Sequence, residues 1–192
     1  MKYLKYTLLG VAILALGFLL IGVISPKLDY DCEIMVEKSA TESWNVLQDE
    51  EKLSEWLPGL LEIEHVSGTP GTEGAVSMVH FDNDGEKMSI KETITAIVPQ
   101  ESIAMKYEDD FMDMAYQISL TPMGGKTKIV SNTSAEGNGM FAKSLIALIG
   151  GSIKAQEEAN LASLKQTIEQ NTKDYVPAEE EISEMSETEE GL

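Results

Sequence analysis

Between Lys5 and Lys27 the chain runs 21 residues without a charge, from Tyr6 to Pro26, and most of that run is Leu, Ile, Val, Ala and Gly. At about 1.5 Å of rise per residue, roughly 20 helical residues span a hydrocarbon core of about 30 Å. The run has the length of a bilayer crossing, so residues 1–28 are expected to form a transmembrane anchor set apart from the rest of the fold. Lys2 and Lys5 precede it, whereas Asp29, Asp31 and Glu33 follow it. This positive-inside asymmetry predicts a single pass, a cytoplasmic amino terminus and a domain on the outer side of the plasma membrane. A cleaved secretory signal is the competing reading. Its apolar region is usually about 7–15 residues and ends at a small-x-small site, which Gly22-Val23-Ile24-Ser25 imitates poorly. Cys32, in Asp29-Tyr30-Asp31-Cys32, lacks the Leu and small residues that precede a lipoprotein cysteine.

Beyond the anchor, residues 29–173 have the size of one ordinary domain with a single core. Acidic residues number 33 against 14 lysines, and there is no arginine. The bidentate fork that reads phosphate, carboxylate or guanine is therefore missing, which argues against nucleic-acid binding. The same acidity argues against the domain lying on an anionic lipid surface. One cysteine excludes an intrachain disulfide and a zinc site built on cysteine pairs. No metal or cofactor is expected, and protein partners are left open. Residues 174–192 carry eight carboxylates and no lysine, too little apolar surface to offset the entropy of ordering, so an acidic disordered tail is expected there.

Asp31 to Val36 reads as a first strand. Ser39-Ala40-Thr41-Glu42 follows it as a capping box opening a helix whose apolar face is Trp44, Val46 and Leu47. Asp49 can cap a second short helix that buries Leu53, Trp56 and Leu57 before Pro58-Gly59 ends it. From Leu60 the apolar period becomes two, with turn signals at intervals suited to an antiparallel meander. Strands are expected at Leu61 to Val66, Ala75 to Phe81, Lys87 to Val98, Ser102 to Tyr107, Met112 to Leu120 and Lys126 to Ser134. Asp82-Asn83-Asp84-Gly85 is a hairpin turn rather than a calcium loop, since the bidentate glutamate at the twelfth position is absent. After Gly137-Asn138-Gly139 the period turns helical from Met140 to about Gln170, with Gly150-Gly151 marking a bend or a close approach.

A strand, two short helices, a long antiparallel meander and one long terminal helix form the helix-grip order, an α+β architecture in which a curved sheet wraps around the last helix. The segments Ala40-Thr41-Glu42-Ser43-Trp44-Asn45-Val46-Leu47-Gln48-Asp49 and Trp56-Leu57-Pro58-Gly59-Leu60 fit this order, as do Ile94-x-x-Ile97-Val98-Pro99 and Leu161-x-x-Leu164-Lys165-x-x-Ile168-Glu169. Together they resemble the START-like, or SRPBCC, superfamily, which includes polyketide cyclases and dehydrases, pollen-allergen-like proteins and lipid-transfer domains. The resemblance covers roughly Asp29 to Thr172. It implies an apolar cavity between sheet and helix and leaves the activity open, because one fold hosts carriers, sensors and enzymes.

If the helix closes over the concave face, the inward alternates Ile90, Ile94, Met105, Tyr107, Met112, Met114, Tyr116 and Ile118, with Ile149 and Ile153 from the helix, are the candidate ligand-binding residues. Methionine suits irregular apolar guests, and the favoured function is non-catalytic binding of a small hydrophobic or lipid-like molecule. A filled core would show the same alternation. Glu92 shares parity with Ile90 and Ile94, and a buried carboxylate with a raised pKa can serve as a general base, with Tyr116 or His80 as its expected neighbours. This is the weak catalytic candidate of a cyclase or dehydratase. A third possibility, an envelope adaptor, predicts an exposed apolar patch around Phe141, Leu145 and Leu148. His65 and His80 lie on different expected strands without metal-ligand spacing, and Glu108-Asp109-Asp110 with Asp113 reads as an acidic loop tip.

Overall fold

The computed structural model describes residues 2–83 and 85–175. The expected tail from residue 176 onward, and Asp84 of the hairpin turn, lie outside the described residues. The elements run α1 (Lys2–Ile24), β1 (Lys27–Val36), α2 (Ala40–Gln48), α3 (Glu50–Trp56), β2 (Leu60–Ser67), β3 (Val76–Asn83), β4 (Glu86–Val98), β5 (Ser102–Glu108), β6 (Met112–Pro122), β7 (Thr127–Gly137) and α4 (Met140–Gln170). The seven strands form one antiparallel sheet in the order β1-β7-β6-β5-β4-β3-β2, and α4 lies over the β1–β7 side of it while touching α2 and α3. This is the helix-grip arrangement, with Tyr3–Ile24 added as a helix long and apolar enough to cross a membrane.

Local chemistry sets the helix starts. Ser39 Oγ accepts from the Glu42 amide at 3.2 Å, and Asp49 Oδ1 accepts from the Glu51 amide at 3.1 Å, so each side chain satisfies a first-turn donor. The reciprocal half of the capping box is not made, because Glu42 pairs with Lys38. Gly59, at φ +80°, ends the α3 segment where a Cβ would meet Asn83 Oδ1 at 2.7 Å and Asp82 O at 2.8 Å, and the Asp82 amide donates to Gly59 O at 2.8 Å.

Several strands run beyond what the sequence pattern indicated, β1, β6 and β7 by at least two residues each. β1 begins at Lys27 and stays in register with β7 as far as Lys27↔Glu136. Asp29 and Asp31 face outward while Leu28 and Tyr30 face in, so the added residues are an alternating strand hidden by its acidic side. β7 accordingly continues to Gly137, and Pro122 pairs with Thr127 at the end of β6 instead of lying in the turn.

The core joins Val36, Val46, Leu47, Ile118, Ile129, Leu161, Leu164 and Ile168, all nearly inaccessible. Helix α4 runs unbroken past the glycine pair. Gly150 is a close approach: a Cβ there would stand 2.8 Å from Leu28 Cδ1. The first half of α4 also packs along α1. Gly22 has room for no side chain against Ser144, and its amide donates to Ser144 Oγ at 3.2 Å. One turn earlier, the rings of Phe18 and Phe141 stand 5.5 Å apart.

The folded part extends beyond residue 173. Lys173 Nζ and Tyr175 Oη both donate to Asp49 Oδ2 at 2.8 Å, and Tyr175 packs against the core, so the chain leaving α4 straps across the α2–α3 junction. Burial by itself would raise the Asp49 carboxyl, but hydrogen bonds from Lys173, Tyr175 and the Glu51 amide outweigh it and hold the group below its ordinary value. The stabilisation is therefore present above the unfolded value of 3.8 and is lost as the pH falls through the lower folded value. Replacing Asp49 by Ala removes the cap and the strap together and should cost at least about 1 kcal/mol, read from urea unfolding at pH 7. The difference from the parent protein should shrink as the pH is lowered toward 3.

Candidate functional site

Directly opposed residues of neighbouring strands point to the same face, so the register defines three rows across the concave side. The first is His65, Ser77, Glu92, Tyr107, Met114, Ala135 and Leu28. A second contains Ile94, Met105, Tyr116, Thr133 and Tyr30, and a third Ile97, Ile103, Ile118, Ser131 and Cys32. That this face looks at α4 is fixed by one bond, Tyr116 Oη donating to Glu157 Oε1 at 2.9 Å. Residues 149, 153 and 157 share one stripe of the helix by their spacing of four, so Ile149 and Ile153 lie on the stripe that carries Glu157.

The rows differ in packing. Ile94 and Ile118 are 7% and 1% exposed and belong to the filled core, so the structure places these two in the closed end rather than along an accessible lining. Ile90, Met105, Tyr107, Met112, Met114, Tyr116 and Ile153 are only half-buried although they face inward or toward the helix, and Ile149 is exposed. The backbone of α4 stays close to β1 and β7 and reaches the middle of the sheet through side chains such as Glu157, Leu161 and Leu164, so Glu92, Tyr107 and Met114 lie to one side of the helix axis.

Glu92 keeps its inward parity. The bulge in β4 falls between Ile94 and Ala96, after Glu92 rather than before it. Burial raises the Glu92 carboxyl, with the nearby Tyr107 hydroxyl and His65 acting in the opposite direction. Burial also drives the Tyr107 and Tyr116 phenols well above the usual range, aided by Glu92 at the first and Glu157 at the second. The Tyr107 hydroxyl donates to Met105 Sδ at 3.3 Å. Ser131 and Thr133 lie beside the Tyr116 and Tyr30 phenols, yet their buried hydroxyls lack a partner at full hydrogen-bond geometry.

The expected neighbours of Glu92 need correction. His80 is on the opposite face, bonded to Ser89 at 2.8 Å and near Glu64 at 3.6 Å, and Tyr116 is one row away, engaged by Glu157. The groups beside Glu92 are Tyr107, Ser77 and His65; His65 Nδ1 lies 3.1 Å from Ser77 Oγ and its Nε2 lies 3.1 Å from Glu50 Oε1. His65 carries a sequence signal, the parity of Ile63, but its row becomes visible only once the β2–β3 register is known. Glu157 has no sequence signal that separates it from the other charged residues of α4, and its inward role appears only with the bond from Tyr116.

The acidic loop tip is internally occupied. Glu108 pairs with Lys91 and Lys106, and Asp109 Oδ1 accepts from the amides of Phe111 and Met112. Asp82 Oδ1 accepts from the Gly85 amide at 2.7 Å, as a turn requires. Among the described residues, no cluster of three or more His, Cys, Asp or Glu is arranged to hold a metal ion.

These features, a seven-stranded grip around a terminal helix with a partly open inner face, define a helix-grip domain. The sequence matches the family described as polyketide cyclase / dehydrase and lipid transport over residues 29–169, and the chain belongs to it. Among solved structures it is similar to the protein Ara h 8.0201, at 16% identity and a TM-score of 0.63 over 76% of this chain and 99% of that one. It is also similar to the Zhui aromatase/cyclase from Streptomyces sp. R1128, at 15% identity and a TM-score of 0.64 over 77% and 96%. The di-domain aromatase/cyclase StfQ from the steffimycin biosynthetic pathway matches at 13% identity and 0.62, over 76% of this chain and 51% of that one. At such identities the likeness is one of fold. Comparison with curated proteins returned no match.

A raised carboxyl stabilises the fold below its unfolded value, here 4.5, and that contribution is lost as the pH rises through the folded value. The Glu92→Gln variant removes this dependence. Urea midpoints measured from pH 4 to 8 should show the parent protein losing stability relative to Glu92→Gln as the pH rises, and a constant difference would contradict the buried placement.

Proposed function

We propose that the domain holds a small apolar or lipid-like molecule bearing hydrogen-bonding groups between its sheet and α4, beside a membrane crossed by α1, and that it binds and releases this molecule unchanged. The observation that carries the reading is on the second and third rows: the buried hydroxyls of Thr133 and Ser131, set beside the half-buried Tyr30 and Tyr116 and near Met105, have desolvation to offset and no partner at full hydrogen-bond geometry to do it. A mostly apolar hollow with a few convergent polar groups is the usual form of a small-molecule site. Methionines at positions 105, 112 and 114 suit a guest of irregular shape. The asymmetry of Lys2 and Lys5 against Asp29, Asp31 and Glu33 supports placing the domain on the outer side of the plasma membrane.

Native mass spectrometry and solvent extraction of the purified full chain should reveal a bound apolar species. A Met114→Trp substitution, which fills the hollow, should weaken binding of a fluorescent fatty-acid probe about tenfold, or about 1.4 kcal/mol, at an unchanged melting temperature. A guest-free interior together with unchanged probe binding in that variant would refute the carrier.

A second reading rests on Glu92 alone. Inward-facing, raised by burial and flanked by Tyr107 and His65, it has the environment of a general base for a cyclase or dehydratase. Glu92→Gln separates the two: an enzyme of that type loses turnover of a polyketide-like substrate by about 100-fold or more, whereas a carrier retains its binding.

A further inference from the structure

We infer that the rim of the domain formed by the first turn of α4 and the β5–β6 loop sits within the bilayer that α1 crosses, so that the open side of the hollow borders lipid. This rests on the membrane-crossing reading of α1 given above, and it goes further because it places part of the folded domain below the lipid surface.

The relative height of α1 and α4 is fixed by their contact. Gly22 meets Ser144 with no space for a Cβ, and Phe18 meets Phe141, so the two helices run side by side with their levels matched residue for residue. Lys143 is bonded to Glu136 at 2.6 Å, and Lys27 lies 3.5 Å from the same carboxylate. This charged band marks the highest level that hydrocarbon can reach on the domain side. With the boundary at Gly22, the uncharged run inside lipid is Tyr6 to Gly22, about 17 residues and about 26 Å, the short end of what spans a bilayer.

Phe18 lies one helical turn below Gly22, about 6 Å into the hydrocarbon, and Phe141 is beside it. Met140 and Phe141 are 48% and 63% exposed, and Phe111 of the neighbouring loop is 36% exposed; the loop is tied to the α4 entry because the Asn138 amide donates to Phe111 O at 2.7 Å. Insertion of about 5–10 Å is the usual depth for apolar side chains at an interface. Of the loop's two carboxylates, Asp109 is engaged by two backbone amides and Asp110 is exposed, so Asp110 stays at headgroup level while the Phe111 ring enters the hydrocarbon. Met112 and Met114 of β6 start at this end of the sheet, so the same rim borders the row that holds Glu92 and Tyr107. The occupant is the apolar edge of the bilayer, since these aromatic side chains continue a face of α1 that is already apolar.

The test uses the full chain in phosphatidylcholine nanodiscs, in a Cys32→Ala background, carrying an environment-sensitive fluorophore at one introduced cysteine: Ile13→Cys in mid-α1, Phe141→Cys or Phe111→Cys on the rim, or Ala162→Cys on the far half of α4. Quenching by lipid-borne nitroxide should be strong at 13, at least threefold above the position 162 background at 141 and 111, and absent at 162. Quenching at 13 without quenching at 141 and 111 overturns the inference and leaves the crossing helix standing. No quenching at 13 overturns both. Because positions 111 and 141 are on the surface, circular dichroism and melting of the labelled variants should match the parent, and Phe111→Cys serves if Phe141→Cys does not fold.

Discussion

The second half of α4 is pinned to the sheet by Leu161, Leu164 and Ile168, each at most 1% exposed, and the rest of the domain is arranged around that seam. Burial of a Leu or Ile side chain stabilises by roughly 1.5–3 kcal/mol, so this end of the helix stays closed. The first half has no such apolar anchorage on β3 to β6. It rests on Leu28 through Gly150 and on α1 through Ser144, contacts that hold it beside one edge of the sheet. One helix therefore serves as a plug at one end and as a wall at the other, with the polar rows of the inner face beside the wall.

Within those rows the electrostatics are set by burial more than by charge pairing. Glu92 and the two inward tyrosines are displaced in the directions that disfavour charge. In contrast, the rim and the outer surface neutralise acid locally, as at Lys106 and Lys91 on Glu108 or Lys143 on Glu136. A chain with a formal charge of −19 keeps most carboxylates outward on alternate strand positions; among the described residues, Glu92 and Glu157 are exceptions that face the inner rows. Those exceptions mark the inner site because a buried carboxylate survives only where other groups compensate it.

Parity carried the sequence reading far. Alternation identified the inner face of β4, β5 and β6 and placed Glu92 inward, and the cap signals at Ser39 and Asp49 located both short helices. What parity cannot supply is register, and register decides who meets whom. His80 and His65 both look like candidates until pairing places one on each face, and Ile94 and Ile118 look like lining until the closed end of α4 covers them. Helix neighbours are harder still: nothing in the sequence sets Glu157 apart from the other charged residues of α4, and only its bond from Tyr116 shows that it turns in. The start of β1 was obscured by two acidic residues whose side chains simply point outward, and the strap through Tyr175 by a segment whose composition suggested no order.

That strap has a geometric consequence. A helix of 31 residues is about 46 Å long; α1 adjoins its beginning, while Lys173 and Tyr175 are bolted to Asp49 near its end. The chain thereby reaches Tyr175 at the pole of the domain opposite α1. About 46 Å is more than five times the Debye length of about 8 Å at physiological salt, so the ion cluster of Asp49, Glu51 and Lys173 at one pole and the Lys143–Glu136 pair at the other are electrostatically independent.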